Sequence, residues 1–251
     1  MPLLDFSSAL TTDISIVQMV AGNGSVGTSF EDIWVNGGDY NFLTAASTLE
    51  IVSSSANDTA AGVGARSIVL DGLNASGNVI SETVATNGGT TAATTNSFLR
   101  LNTATLGAVG TYGGSNYNTI TIRESGGGAV IGFIGGLGTV NTADYGFGRT
   151  KLGMYAIPST HTAYIRGFEV STDSSKELTL SLYFRRNLTT TSGSVGPRES
   201  LWSSETITET ATIDFKHYVT VPSGSDLWFR GKVNTGTMGV DISMSIVLVR
   251  N

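Results

Sequence analysis

Apolar and polar residues alternate in short runs along this chain, and small turn-forming residues separate the runs. Val240-Asp241-Ile242-Ser243-Met244-Ser245-Ile246 alternates strictly. Leu178-Thr179-Leu180-Ser181-Leu182 does the same and continues into Tyr183-Phe184-Arg185. A period of two sends apolar side chains to one face of a sheet and polar ones to the other. Residues 163–170, 210–215, 218–221 and 226–233 have similar strand character, and Pro222-Ser223-Gly224 and Asn234-Thr235-Gly236 punctuate them. Short strands at this spacing predict a sandwich or jelly roll for the second half.

The first half reads as β as well. Ser67-Ile68-Val69-Leu70 runs into Asp71-Gly72-Leu73-Asn74-Ala75-Ser76-Gly77-Asn78, and Val79-Ile80-Ser81-Glu82-Thr83-Val84 returns. That is a hairpin, with Gly and Asn available for the positive φ of a tight return. Residues 14–21, 49–53, 98–101 and 119–123 are further strands. The nearest helix candidate, 29–35, soon meets Gly37-Gly38, which would stop it. The expected fold is all-β: two β-sandwich or jelly-roll-like domains with a short N-terminal arm.

Charge and glycine place the divisions. Residues 1–145 carry a net charge of −8 and residues 146–251 a net of +2. Residues 1–145 hold 22 glycines and residues 146–251 hold 10. The expected organisation is an arm and first strand over 1–20, a glycine-rich acidic β domain over 21–145, and a C-terminal sandwich over 146–251.

Charged residues are only 14% of the 251, about half the usual share, while 40% are apolar. A sizeable core can be buried, and the low-hydrophobicity, high-charge signature of disorder is absent. With no cysteine there is no disulfide to staple the fold. A net charge of −6 and a pI near 4.8 give no basic face for nucleic acid. No apolar run is long enough to span a membrane as a helix, and Met1-Pro2-Leu3-Leu4-Asp5-Phe6 lacks the start of a signal peptide.

Candidate chemistry is sparse. Gly22-Asn23-Gly24-Ser25-Val26-Gly27 fits the dinucleotide-binding spacing, but no amphipathic helix follows to aim at a phosphate, so it reads as a glycine-rich turn. His161 and His217 are the only imidazoles, and without cysteine they do not suggest zinc. Asn57-Asp58 and Asp71 lie in turn-like regions without calcium-loop spacing. No catalytic, cofactor-binding or metal-ligating residue is assigned. Two contact sites are expected instead. Leu3, Leu4 and Phe6 form an apolar terminal arm suited to docking on a neighbouring chain. Tyr112 and Tyr117 flank Gly113-Gly114-Ser115 and are candidates for an exposed contact loop.

The stretch from Leu49-Glu50-Ile51-Val52-Ser53 through Asn57-Asp58-Thr59 to Gly62-Val63-Gly64-Ala65-Arg66 is followed by Asp71-Gly72-Leu73-Asn74 and Ile80-Ser81-Glu82-Thr83-Val84. Tyr155-Ala156-Ile157-Pro158-Ser159 and Thr162-Ala163-Tyr164-Ile165 come later. These phrases resemble two-domain β-sandwich virion proteins of tailed bacteriophages, over roughly residues 45–251. The resemblance implies an auxiliary structural protein of the virion, assembled in the host cytoplasm. It would be a capsid cement or decoration protein that bridges capsid subunits, or else a tail or head-fibre component that binds host-surface glycan. It implies no enzyme and no cofactor. The implied partners are the major capsid protein or other virion proteins and sister copies, with a homotrimer favoured because arrayed shells use closed symmetry.

Overall fold

A computed structural model describes residues 13–112, 114–136, 148–186 and 197–251. Among them every regular element is a strand. The first part of the chain forms β1 (Ile14–Val26), β2 (Glu31–Asp32), β3 (Leu49–Ser53), β4 (Ala65–Leu73) and β5 (Val79–Ala85). β6 (Ala92–Ala93), β7 (Arg100–Val109), β8 (Ile120–Glu124) and β9 (Val130–Ile134) follow. Then come β10 (Met154–Ala156), β11 (His161–Thr172), β12 (Leu178–Arg186) and β13 (Glu199–Ile207). The last are β14 (Ala211–Val221), β15 (Ser225–Val233) and β16 (Met238–Arg250).

The strands form four antiparallel sheets. Their orders are β1-β16-β11-β14, β10-β15-β12-β13 with β2 also on β15, β6-β3-β8-β9, and β5-β4-β7. The hairpin expected over 67–84 is β4–β5. Gly77 takes φ +73° in its turn, and the Asn74 carboxamide oxygen accepts from the Ser76 and Asn78 amides at 2.9 and 3.1 Å. β14 merges the two short strands expected at 210–215 and 218–221. The β11–β14 register shifts between Ile165 and Gly167, and a side chain at Gly167 would run into the carbonyl of Ile213.

Alternation explains the larger core. Ile242, Met244, Ile246 and Leu248 of β16 all point inward, while Asp241, Ser243 and Ser245 point out. The two sheets that contain β16 and β15 bury their apolar faces in one cluster, with Phe168, Leu180, Leu182 and Phe229 at its centre. A second cluster is built by the other two sheets, from Leu49, Ile51, Ile68, Leu70, Ile120 and Ile122. At about 25 cal/mol per Å² of apolar surface buried, such side chains supply most of the drive to fold.

The two cores share a wall. Leu227 and Phe229 of β15 enter the larger cluster, while Trp228 between them enters the other, joined by Met154 of β10. β15 is buried on both faces from Ser225 to Phe229, which is why its sequence does not alternate. The N-terminal segment also crosses between parts of the chain. β1 pairs along most of its length with β16, and β2 pairs with β15. The boundary expected at residues 20/21 therefore falls inside a strand whose partner lies at the far end of the sequence. Local charge and glycine content carry no information about such long-range pairing.

Candidate interaction surfaces

Three arrangements have the geometry of a site. The first is the outer face of the β1-β16-β11-β14 sheet. At one end its outward row reads Ile16, Val247, Tyr164 and Thr220 across the four strands. The next row holds Ile14, Val249 and Thr162. Tyr218 meets Tyr164 edge-on at 6.4 Å. Ile16 is 69% exposed and Tyr218 40%. Further along the same face the residues turn polar. Gln18 donates to Ser245 at 2.6 Å, and Arg166 pairs with Asp214 at 3.1 Å. One end of this face is thus apolar and open to solvent, beside the end strand β1.

The sequence carries one signal for this face. The alternation of 240–246 breaks into Val247-Leu248-Val249, with apolar residues on both faces of the strand. Leu3, Leu4 and Phe6, the expected contact arm, lie outside the described residues.

The second arrangement is the loop carrying Tyr112 and Tyr117. A buried carboxylate holds it in place. Asp58 accepts hydrogen bonds from the Ala65 amide at 2.8 Å, the Tyr117 amide at 2.7 Å and the Ser53 hydroxyl at 2.6 Å. The two tyrosines end up half-buried with ring centroids 4.3 Å apart, tilted at 40°. The loop thus presents a paired aromatic surface.

The third arrangement is a buried charge cluster between the cores. Arg100 Nε and Nη2 donate to the two oxygens of Asp226 at 2.8 and 2.9 Å, and Arg185 Nη2 donates to the same carboxylate at 2.6 Å. Arg100 Nη1 donates to the carbonyls of Leu43 and Leu99, both at 2.7 Å. The Arg185 guanidinium lies over the Phe42 ring, 4.3 Å from its centroid, and an edge-to-face series runs Trp34, Tyr40, Phe42, Trp228. Two guanidiniums on one carboxylate leave an excess positive charge, which carbonyl oxygens and ring faces offset. Burial pushes the Tyr40 hydroxyl well above its ordinary range, so it stays neutral beside these charges. The charged groups are closed off from solvent, and the cluster ties the cores together.

Other residues singled out in the sequence take structural places. Asn23 lies in the irregular end of β1, where its side-chain oxygen accepts from the Ser25 amide at 2.9 Å. The Glu31 carboxylate accepts from the Gly27 and Gly38 amides, both at 2.7 Å. Gly22–Gly27 is thus strand and turn, and β2 is the next regular element. His217 is exposed on β14, while His161 Nδ1 lies 2.9 Å from the Thr160 hydroxyl. Among the described residues no group of three or more His, Cys, Asp or Glu is placed to hold a metal ion.

No family model matches the chain, and no curated protein matches it. Solved structures with some likeness include the infectious bursal disease virus VP2 subviral particle, at 12% identity and a TM-score of 0.29, covering 95% of this chain and 72% of that one. The infectious bursal disease virus Gx strain structure shows 9% identity and a TM-score of 0.28, over 94% of this chain and 70% of that one. The Gt strain structure shows 11% and 0.27, over 95% and 73%. Likeness of this size assigns the chain to no family.

Proposed function

We propose that this chain is a structural protein of a virus particle, working by adhesion and without making or breaking a bond. In its finer form the reading is a capsid cement or decoration protein of a tailed phage. Two sandwich-like pairs of sheets would be locked into one rigid body and would bridge neighbouring capsid subunits as a trimer. The observation that carries it is the apolar end of the outer sheet face, Ile16, Val247, Tyr164 and Tyr218, next to an end strand. Exposed apolar patches and free strand edges are liabilities that a bound neighbour removes. Repetition over many copies lets each contact be weak and the sum strong. The shared Trp228 wall and the Arg100–Asp226–Arg185 cluster support this reading, because they tie the two cores together and a bridge between subunits has to be stiff.

Quantitative mass spectrometry of purified particles tests this. Hundreds of copies per particle support a shell component. A few to a few dozen support a tail or fibre part, and absence from particles overturns the reading. Removing residues 1–10 should lower occupancy, and unchanged occupancy would take the arm out of the argument.

A second reading rests on Tyr112 and Tyr117, whose half-buried rings lie 4.3 Å apart and would offer their open faces to a sugar ring. In that case the chain is a fibre component that binds host glycan. Glycan binding abolished by Tyr112→Ala would favour it over the cement reading.

A further inference from the structure

Between β1 and the outer face of the β5-β4-β7 sheet lies a cleft of about 380 Å³. Small-ligand sites span roughly 300–1,000 Å³. Alternation sets its floor. Leu70 and Ala104 turn inward to the second core, so Asp71, Thr103 and Thr105 face out into the cleft. Asp71 stands directly opposite Thr103 in the β4–β7 ladder, and Thr105 is bridged on its other side by Arg149. Val17 and Val79 form apolar lips, Val79 being 62% exposed.

The polar groups of this cleft are not all satisfied within the protein. Arg149 reaches across to β1 and donates Nη2 to the Gln18 carbonyl at 3.3 Å. Its Nε is buried and has no hydrogen-bond partner, and the same is true of Thr103 Oγ1. Buried polar atoms are nearly always paired, so these two orphans in the wall of one cleft leave polar capacity that a partner could take up after small side-chain movements. Asn102 cannot serve, because both ends of its amide are engaged by the Ala156 backbone at 2.8 and 3.0 Å. Tyr155 lines the cleft as a neutral hydroxyl. Burial pushes it up to about 12, the Asn102 side chain opposes that shift, and the charge of Asp71 adds to it.

We propose that this cleft binds an acidic sugar, with the sugar carboxylate on Arg149 and the ring hydroxyls on Asp71 and Thr103. The Nη1–Nη2 end of a guanidinium matches a carboxylate in a two-point contact, and Nη2 keeps one proton beyond its bond to the Gln18 carbonyl. A carboxylate such as Asp71 accepts hydroxyl protons, and the valines suit the C–H face of a ring. Spacing selects the ligand. The Asp71–Thr103 and Thr105–Arg149 rungs are one two-residue step apart on β7, roughly 7 Å between backbones, and the Arg149 side chain extends further, to β1. A sugar ring with a carboxylate at one side and hydroxyls at the other spans that distance. The charged groups of an α-amino acid share one carbon and do not.

The test is calorimetry on the full chain with glucuronate, glucose and alanine. Glucuronate should bind at least about tenfold more tightly than glucose, and alanine should not bind. Arg149→Gln should remove the preference for glucuronate and leave glucose unchanged, while Thr103→Val should weaken both sugars. Equal binding of glucuronate and glucose overturns the proposal, as does tighter binding of alanine, no binding at all, or glucuronate affinity unchanged in Arg149→Gln. Arg149 also ties β1 in place, so melting curves accompany the variants, and the wild-type ligand comparison decides the question without them. The site is independent of the adhesive role. A chain that fails to bind glucuronate but fills particles sinks only this site, and one that binds it but is absent from particles sinks only the adhesive role.

Discussion

Arg100 and Asp226 are 126 positions apart in sequence and form a two-point ion pair at 2.8 and 2.9 Å, with side chains 5% and 1% exposed. The pair ties β7, at the wall of one core, to β15, which lines both. Such a pair is a poor source of net stability, since desolvation offsets most of its attraction, but it is costly to break by halves. Asp226→Ala strands two buried guanidiniums and should cost about 3–5 kcal/mol in urea denaturation. Arg185→Met should cost less, because the Arg100–Asp226 contact survives it.

Glu50 sets an acid limit on the β8–β9 turn. Its carboxylate accepts from the Gly126 amide at 2.8 Å, and from Arg123 Nε at 3.1 Å and the Gly127 amide at 3.4 Å. Chiefly the Gly126 contact holds its pKa below the usual 4.5, against a smaller opposing effect of desolvation. A carboxyl whose pKa is lower in the folded state stabilises above its unfolded value, and that contribution is lost as pH falls through the folded one. The stability gap between wild type and Glu50→Gln should be full near pH 7 and should shrink at an acid pH below the ordinary 4.5, as the folded-state carboxylate takes up its proton. A gap of constant size at both pH values would contradict this.

Gly153 is where β1, β2 and β10 come together. Its amide donates to the Val20 carbonyl at 3.0 Å, its φ is +65°, and an added Cβ would run into the Ile33 carbonyl. Gly153→Ala should cost at least about 1–3 kcal/mol from backbone strain, with the clash in addition. A chain of this size then melts several degrees lower, at about 2–4 °C per kcal/mol. Gly114→Ala is the useful contrast for sterics, since its φ is +71° but nothing lies within 4 Å of a Cβ there. It should show the strain alone.

Ile16 is 69% exposed, so it contributes little to folding. Ile16→Lys should leave stability within about 0.5 kcal/mol of wild type. On the adhesive reading it should also lower occupancy on purified particles. Normal occupancy with an intact fold would move the contact away from this face.

The strand pattern was legible wherever a sheet had one wet face. Residues 240–246 alternate because β16 buries one side and wets the other, 178–182 alternate although Ser181 is buried as well, and 49–53 matches β3 residue for residue. The hairpin at 74–78 was legible because its Asn and Gly do local work. Strands without that asymmetry stayed hidden. β10 is three residues long and wholly buried, and β13 is largely polar in sequence. Gly22–Gly27 showed a spacing that only its surroundings could interpret.

The sequence by itself determined an all-β chain with no disulfide, because side-chain period and cysteine content are local properties read one residue at a time. It also showed where most strands lie and which of their faces turn inward. Only the tertiary structure decided that β1 closes a sheet with the last strand, that Trp228 belongs to a different core from its neighbours, and that Asp71, Thr103 and Arg149 line one cleft. Those are meetings of residues far apart in the chain. Their energy comes from burial and charge pairing between surfaces that exist only after the sheets have formed, and no local pattern encodes which surfaces will meet.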